Sequence, residues 1–62
     1  MIIVLKPSVT EEEIQHIVDR IQQYGLKTHI SRGEERTIIG AIGDETILRE
    51  KPLEAISGVE RV

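Results

Sequence analysis

Two short segments of this chain are apolar at consecutive positions, and this feature limits the possible folds more than any other. Ile2–Leu5 is the first segment, and Arg36–Ile42 is the second, which is apolar from Ile38 onward apart from one glycine. Strands that are apolar on both alternating sides are typical of strands covered on both faces. We therefore expect both segments to be central strands of one sheet.

A capped amphipathic helix is predicted between these two segments. Thr10 and Glu13 have the spacing of a capping box, and the acidic residues 11–13 favour the positive end of a helix. The apolar stripe then follows helical spacing, at Ile14, Ile17, Val18, Ile21 and Tyr24. Gly25 is the expected left-handed stop, so the predicted helix covers Glu11–Tyr24.

The segment after the helix has the two-residue period of a strand. Leu26, Thr28 and Ile30 fall on one side, and Lys27, His29 and Ser31 on the other. Arg32-Gly33-Glu34-Glu35 supplies a glycine-containing reversal of hairpin length, and we consider the register that results if Gly33–Glu34 is the two-residue turn. In that register the opposed pairs are Ser31 with Arg36, His29 with Ile38, and Lys27 with Gly40.

The last third of the chain predicts a weaker helical stretch and a short strand. Asp44 is a candidate N-cap, and the apolar positions that follow are Ile47, Leu48, Leu53 and Ile56. Pro52 interrupts the stretch, so we expect either a kinked helix or a turn followed by a short helix near Pro52. Val59–Val62 alternates like the first half of a fourth strand.

This order of elements, β-α-β-β-α-β, predicts an α+β, ferredoxin-like fold. Both helices are then expected on one face of an antiparallel sheet, with the fourth strand truncated. The other face is left open and carries apolar side chains, which usually marks an interface. We expect residues 1–62 to be a single domain and a fragment of a longer protein, pairing with another copy or with the rest of that protein.

Composition excludes several classes of function. The 62 residues include no cysteine, so a disulfide framework and a thiolate metal site are both excluded. A net charge of −3 opposes binding to a nucleic-acid backbone. Ile2–Leu5 is too short for a signal sequence or a membrane span, so no membrane partner and a cytoplasmic setting are expected.

No catalytic pattern is present in the sequence. A cysteine nucleophile, a local Ser-His-acid signature and a glycine-rich phosphate loop are all missing, so we do not expect this chain alone to be an enzyme. Glu12, His16 and Asp19 share one side of the helix at ligand-like spacing. Such residues opposite an apolar stripe are ordinary surface, and we expect no metal site and no cofactor here.

His29 and Ser31 are the candidate binding residues. Strand periodicity places both side chains together on the sheet face away from Leu26, and both donate and accept hydrogen bonds. With an apolar floor from the third strand, they would form the polar rim of a shallow pocket. The alternative is a polar edge strand that simply faces water.

Four stretches of the sequence carry a family resemblance: Met1–Pro7, Thr10–Ile14, Lys27–Gly40 and Gly58–Val62. Together they resemble the N-terminal regulatory domain of type Iβ 3-deoxy-D-arabino-heptulosonate 7-phosphate (DAHP) synthases, over essentially the whole chain. The most distinctive part is the His29-Ile-Ser31 motif, followed by Gly33, Glu35–Thr37 and Gly40 and then by Gly43-Asp44.

The resemblance implies an ACT-like domain that precedes a (β/α)8 barrel, with a divalent metal in the barrel only. It also implies feedback inhibition of the first step of the shikimate pathway, by an aromatic end product, Tyr or Phe, bound between paired domains. His29 and Ser31 would be the effector-binding residues. Related enzymes respond instead to prephenate or chorismate. The alternative function is a non-sensing assembly module that pairs through its open sheet face.

Overall fold

The strands and the first helix occupy the places that the sequence predicts. The computed structural model describes residues 1–44, 46–47, 50 and 52–62. Its elements are β1 (Ile2–Leu5), α1 (Glu11–Gln23), β2 (Lys27–Arg32), β3 (Thr37–Ile42) and β4 (Val59–Arg61), with a 3-10 turn at Leu53–Ala55 before β4. The sheet is antiparallel, in the order β2-β3-β1-β4. The predicted ferredoxin-like sheet, with β1 and β3 central, is therefore confirmed.

The ends of α1 follow from local hydrogen bonding. Thr10 Oγ1 accepts a hydrogen bond from the Glu13 backbone N–H at 3.1 Å, and the Thr10 backbone N–H donates to Glu13 Oε1 at 3.0 Å. This is the predicted capping box, which satisfies two otherwise unpaired N–H groups. At the other end Tyr24 is the C-cap and Gly25 has a φ of 83°, so α1 ends one residue earlier than predicted.

The core lies between α1 and one face of the sheet. Ile14, Ile17, Val18 and Ile21 of α1 are buried, as predicted from their spacing. The sheet contributes alternate residues from its two central strands, namely Ile3, Leu5, Ile39 and Ala41. Branched aliphatic side chains thus make up most of this small core, and full burial of each contributes roughly 1.5–3 kcal/mol.

The segment between β3 and β4 is described only in part. Leu53–Ala55 forms one turn of 3-10 helix directly after Pro52, which agrees with the predicted turn and short helix. Leu48 and the middle of the predicted second helix lie outside the described residues. β4 covers Val59–Arg61, one residue fewer than predicted, and Val59 is buried opposite Leu5.

The register of the β2–β3 hairpin corrects the sequence-based pairing. Ser31 lies opposite Ile38, His29 opposite Gly40, and Lys27 opposite Ile42. The reversal is at Glu34–Glu35, because Gly33 donates its backbone N–H to the Arg36 carbonyl at 2.8 Å. A Cβ on Gly33 would lie 2.9 Å from that carbonyl oxygen, so the glycine is needed for close backbone approach at the last pair. The observed pairing is shifted by two residues from the predicted one. Because side chains alternate with a period of two, every side chain stays on its predicted face.

Candidate functional site

The sheet face away from α1 is apolar and accessible. Ile2 is 60% exposed and Ile42 is 62% exposed, whereas the neighbouring Ile3 and Ile39 are completely buried. Val4 and Ile38 are half-buried on the same face as Ile2 and Ile42. We call the group formed by Ile2, Val4, Ile38 and Ile42 the open apolar face. Large aliphatic side chains exposed together are typical of an interaction surface.

His29 and Ser31 border the open apolar face along the edge strand β2. The register builds two rows across the sheet: Ser31, Ile38 and Val4 in one row, and His29, Gly40 and Ile2 in the next. Both polar side chains are exposed. The structure therefore brings together the two residues predicted from the sequence, and it places them beside apolar neighbours of β3 and β1.

The hydrogen-bonding groups of these two side chains are available. Across the described ranges, the side chains of His29 and Ser31 have no hydrogen-bond partner. An imidazole and a hydroxyl each offer a donor and an acceptor. A ligand at this edge would find polar contacts on β2 and apolar contacts on β3 and β1.

Charged side chains surround the face without filling it. Arg61 lies opposite Val4 on β4, and Lys27 lies opposite Ile42 on β2. Arg36, directly before β3, forms an ion pair with Glu60 of β4. The surface thus has an apolar centre and a charged rim, the usual anatomy of a protein interface.

The residues opposite His29 and Ser31 on β3 are apolar. His29 and Ser31 lie two residues apart on one strand, and the residues they face, Gly40 and Ile38, carry no ionisable group. Among the described residues, lowered pKa values lie away from this edge: hydrogen bonds from Ser57 and Thr10 lower the pKa of Glu13, and hydrogen bonds from Thr46 lower the pKa of Asp44. The arrangement offers a ligand hydrogen-bonding groups on β2 beside an apolar surface on β3.

Two clefts lie away from the open apolar face. The first cleft, of about 160 Å³, lies between the β1–α1 connection and the hairpin. It is lined by Arg32 and Glu11, which form an ion pair with 2.6 Å between Arg32 Nη1 and Glu11 Oε1. The other, of about 250 Å³, lies between His16 and Arg20 of α1 and the segment around Pro52. Neither is lined by His29 or Ser31.

Glu12, His16 and Asp19 do not form a metal cluster. Within residues 1–44, 46–47, 50 and 52–62, no three His, Asp or Glu side chains converge closely enough to hold an ion. Asp19 instead accepts a hydrogen bond from Gln15 at 2.8 Å.

Among the residues that the structure describes, no helix has the length and apolar character needed to cross a bilayer.

Gly40 is the site residue whose predicted partner was wrong. The predicted register put it beside Lys27, at the end of the strand, but it lies between His29 and Ile2 in the middle of the sheet. The signal that locates it is the tight approach at Gly33, which moves the reversal one residue along the chain.

Comparisons with known proteins agree in family and fold. The family model for the DAHP synthase ferredoxin-like domain matches residues 1–62. The chain is 48% identical over 62 residues to phospho-2-dehydro-3-deoxyheptonate aldolase of Thermotoga maritima, covering all of this chain and 18% of that protein. The crystal structure of the Thermotoga maritima DAHP synthase superposes with a TM-score of 0.84 at 47% identity, covering 97% of this chain and 18% of that one.

Proposed function

The chain belongs to the DAHP synthase ferredoxin-like domain family, and we propose from this membership that it is the regulatory domain of a DAHP synthase. The proposed effector is an aromatic amino acid end product, Tyr or Phe, bound between two paired domains. The chain spans 18% of the length of the relatives it matches. The synthase activity would then belong to a catalytic barrel elsewhere in the parent protein. Any divalent metal would belong to that barrel, with no cofactor in this domain.

One observation carries the proposal: two polar side chains without a hydrogen-bond partner among the described residues border an exposed apolar surface. His29 and Ser31 supply hydrogen bonds, while the open apolar face supplies contacts for a ring. A ligand with one aromatic ring and polar groups at its ends matches both. Small-molecule sites typically combine an apolar lining with a few polar groups that fix orientation.

Pairing of domains supplies the regulatory step. Ile2 and Ile42 are exposed in one domain, and covering them with the same face of a second copy would remove apolar surface from water. An effector that contacts both copies binds the associated state more tightly than the separate state. It therefore shifts the population toward association, and the proposed associated form is the inhibited one.

The test is a titration of this chain with L-Tyr and, separately, with L-Phe. NMR would follow the His29 and Ser31 signals while analytical ultracentrifugation follows the association state. We expect shifts at both residues together with ligand-driven dimer formation. A chain that binds neither amino acid would overturn the proposal.

Matched variants separate the site from the general surface. His29→Ala and Ser31→Ala are expected to weaken binding, since each removes a side chain from the edge of the open apolar face. His16→Ala on α1 and Ser8→Ala in the β1–α1 connection replace the same residue types at exposed positions elsewhere, and should bind like the unaltered chain.

A second candidate function rests on the same apolar surface. The exposure of Ile2 and Ile42 favours association whether or not a ligand is present, as in a plain assembly module. Constitutive dimers whose stability does not change with Tyr or Phe would support that function instead.

A further inference from the structure

Gly40 is the glycine that the fold itself does not require. Gly25, Gly43 and Gly58 have positive φ angles, and Gly33 makes the close approach in the hairpin. Gly40 has neither property: a Cβ at this position would meet only the His29 carbonyl oxygen, at an ordinary contact distance of 3.8 Å. Any small side chain would fit there.

Glycine at position 40 also lowers the stability of the strand in which it lies. Gly40 lies in the interior of β3, which is bordered by β2 on one side and β1 on the other. Glycine in a strand interior loses more conformational entropy on folding than alanine and offers no side chain for packing. A residue that weakens its own strand without a backbone reason often marks a site where something else approaches closely.

The surroundings of Gly40 define a notch in the open apolar face. Across the sheet it lies between His29 and Ile2, whose Cα atoms are two strand spacings apart, or roughly 9–10 Å. Along β3 it lies between Ile38 and Ile42, each about 7 Å away on the same face. At Gly40 the sheet presents backbone without a side chain, and the four neighbours on the same face by register are His29, Ile2, Ile38 and Ile42.

We propose that the Gly40 notch receives the ring of the aromatic effector. This inference rests on the proposed function and adds the place where the ring lies. With the ring over Gly40, a polar substituent directed toward β2 would reach His29 and, one row along, Ser31. The ring would contact Ile2, Ile38 and Ile42 at its edges.

The test adds bulk to the notch and compares stability with binding. Gly40→Ala and Gly40→Val should keep the fold, with melting temperatures equal to or above that of the unaltered chain. Affinity for L-Tyr or L-Phe should fall by about tenfold or more, since one methyl group in a binding pocket changes recognition by roughly 10- to 200-fold. Thr37→Val is the control, because it introduces valine on the same strand but on the opposite face.

A second measurement keeps the inference testable if a variant fails to fold. In the unaltered chain with bound ligand, intermolecular NOEs are expected between the ring protons and the two Gly40 Hα atoms. Binding that perturbs His29 and Ser31, yet gives no such NOEs and tolerates Gly40→Val, would overturn the notch while leaving the proposed function intact. An unaltered chain that does not bind would overturn the proposed function itself.

Discussion

Ser57 donates a hydrogen bond to Glu13 Oε2 at 2.6 Å, joining the turn before β4 to the first turn of α1. The other carboxylate oxygen of Glu13 accepts from Thr10. One side chain thus caps the helix and holds a segment 44 residues away. Because the acceptor is a carboxylate, the free energy of unfolding of the domain depends on pH through this contact.

Acid is expected to weaken the domain through Glu13. The Ser57 hydrogen bond, followed by the Thr10 backbone N–H, lowers the pKa of Glu13 below its usual value of 4.5. Because the folded-state pKa is the lower one, the stabilisation is fully present above pH 4.5 and is lost as the pH falls through the folded pKa. Thermal unfolding of the unaltered chain and Glu13→Gln, at about pH 6 and about pH 3, measures the effect.

The stability difference between these two proteins should shrink in acid. Thr46 hydrogen bonds also lower the pKa of Asp44, but Asp44 is present in both proteins and cancels in the comparison. A difference that stays constant with pH would contradict the role given to the Glu13 carboxylate.

Replacement of Gly58 should cost more than replacement of Gly25. Both have positive φ angles, at 97° and 83°, so alanine at either position carries the left-handed penalty of roughly 1–2 kcal/mol. A Cβ on Gly58 would also lie 2.8 Å from a methyl group of Val9, whereas one on Gly25 meets nothing within 4 Å. Chemical denaturation of Gly58→Ala and Gly25→Ala should show the larger loss for Gly58; equal losses would show that Val9 moves aside without cost.

Adjacent isoleucines of β1 should respond differently to the same small change. Ile3 is completely buried, and Ile3→Val is expected to lower the free energy of unfolding by about 0.5–1.5 kcal/mol. Ile2 is 60% exposed, and Ile2→Val should change that free energy by less than about 0.5 kcal/mol. Urea unfolding of both variants checks the assignment of faces, and a larger loss at Ile2 would contradict it.

Loss of the helix cap should lower the free energy of unfolding of the whole domain. Thr10→Ala removes the acceptor for the Glu13 N–H and is expected to cost about 0.5–2 kcal/mol. Thr10→Ser keeps the hydroxyl and serves as the control. Since α1 contributes four buried side chains to the core, the loss should appear in the cooperative thermal transition rather than as local fraying at the helix end.

Much of this protein is determined by the sequence alone, because the relevant signals are local. The Thr10–Glu13 spacing, the stripe from Ile14 to Ile21 and Gly25 specify where α1 begins, what it buries and where it ends. Two-residue alternation likewise places His29 and Ser31 on the same face of β2. Each of these features depends on residues within a few positions of one another.

Tertiary structure decided which residues stand opposite each other. Strand periodicity specifies the face of a side chain but not its partner, and the partner of Gly40 depends on the backbone approach between Gly33 and Arg36. The Glu13–Ser57 contact and the row from His29 through Gly40 to Ile2 join residues far apart in the chain. Such contacts form only when the sheet closes around its core, so no local pattern in the sequence specifies them.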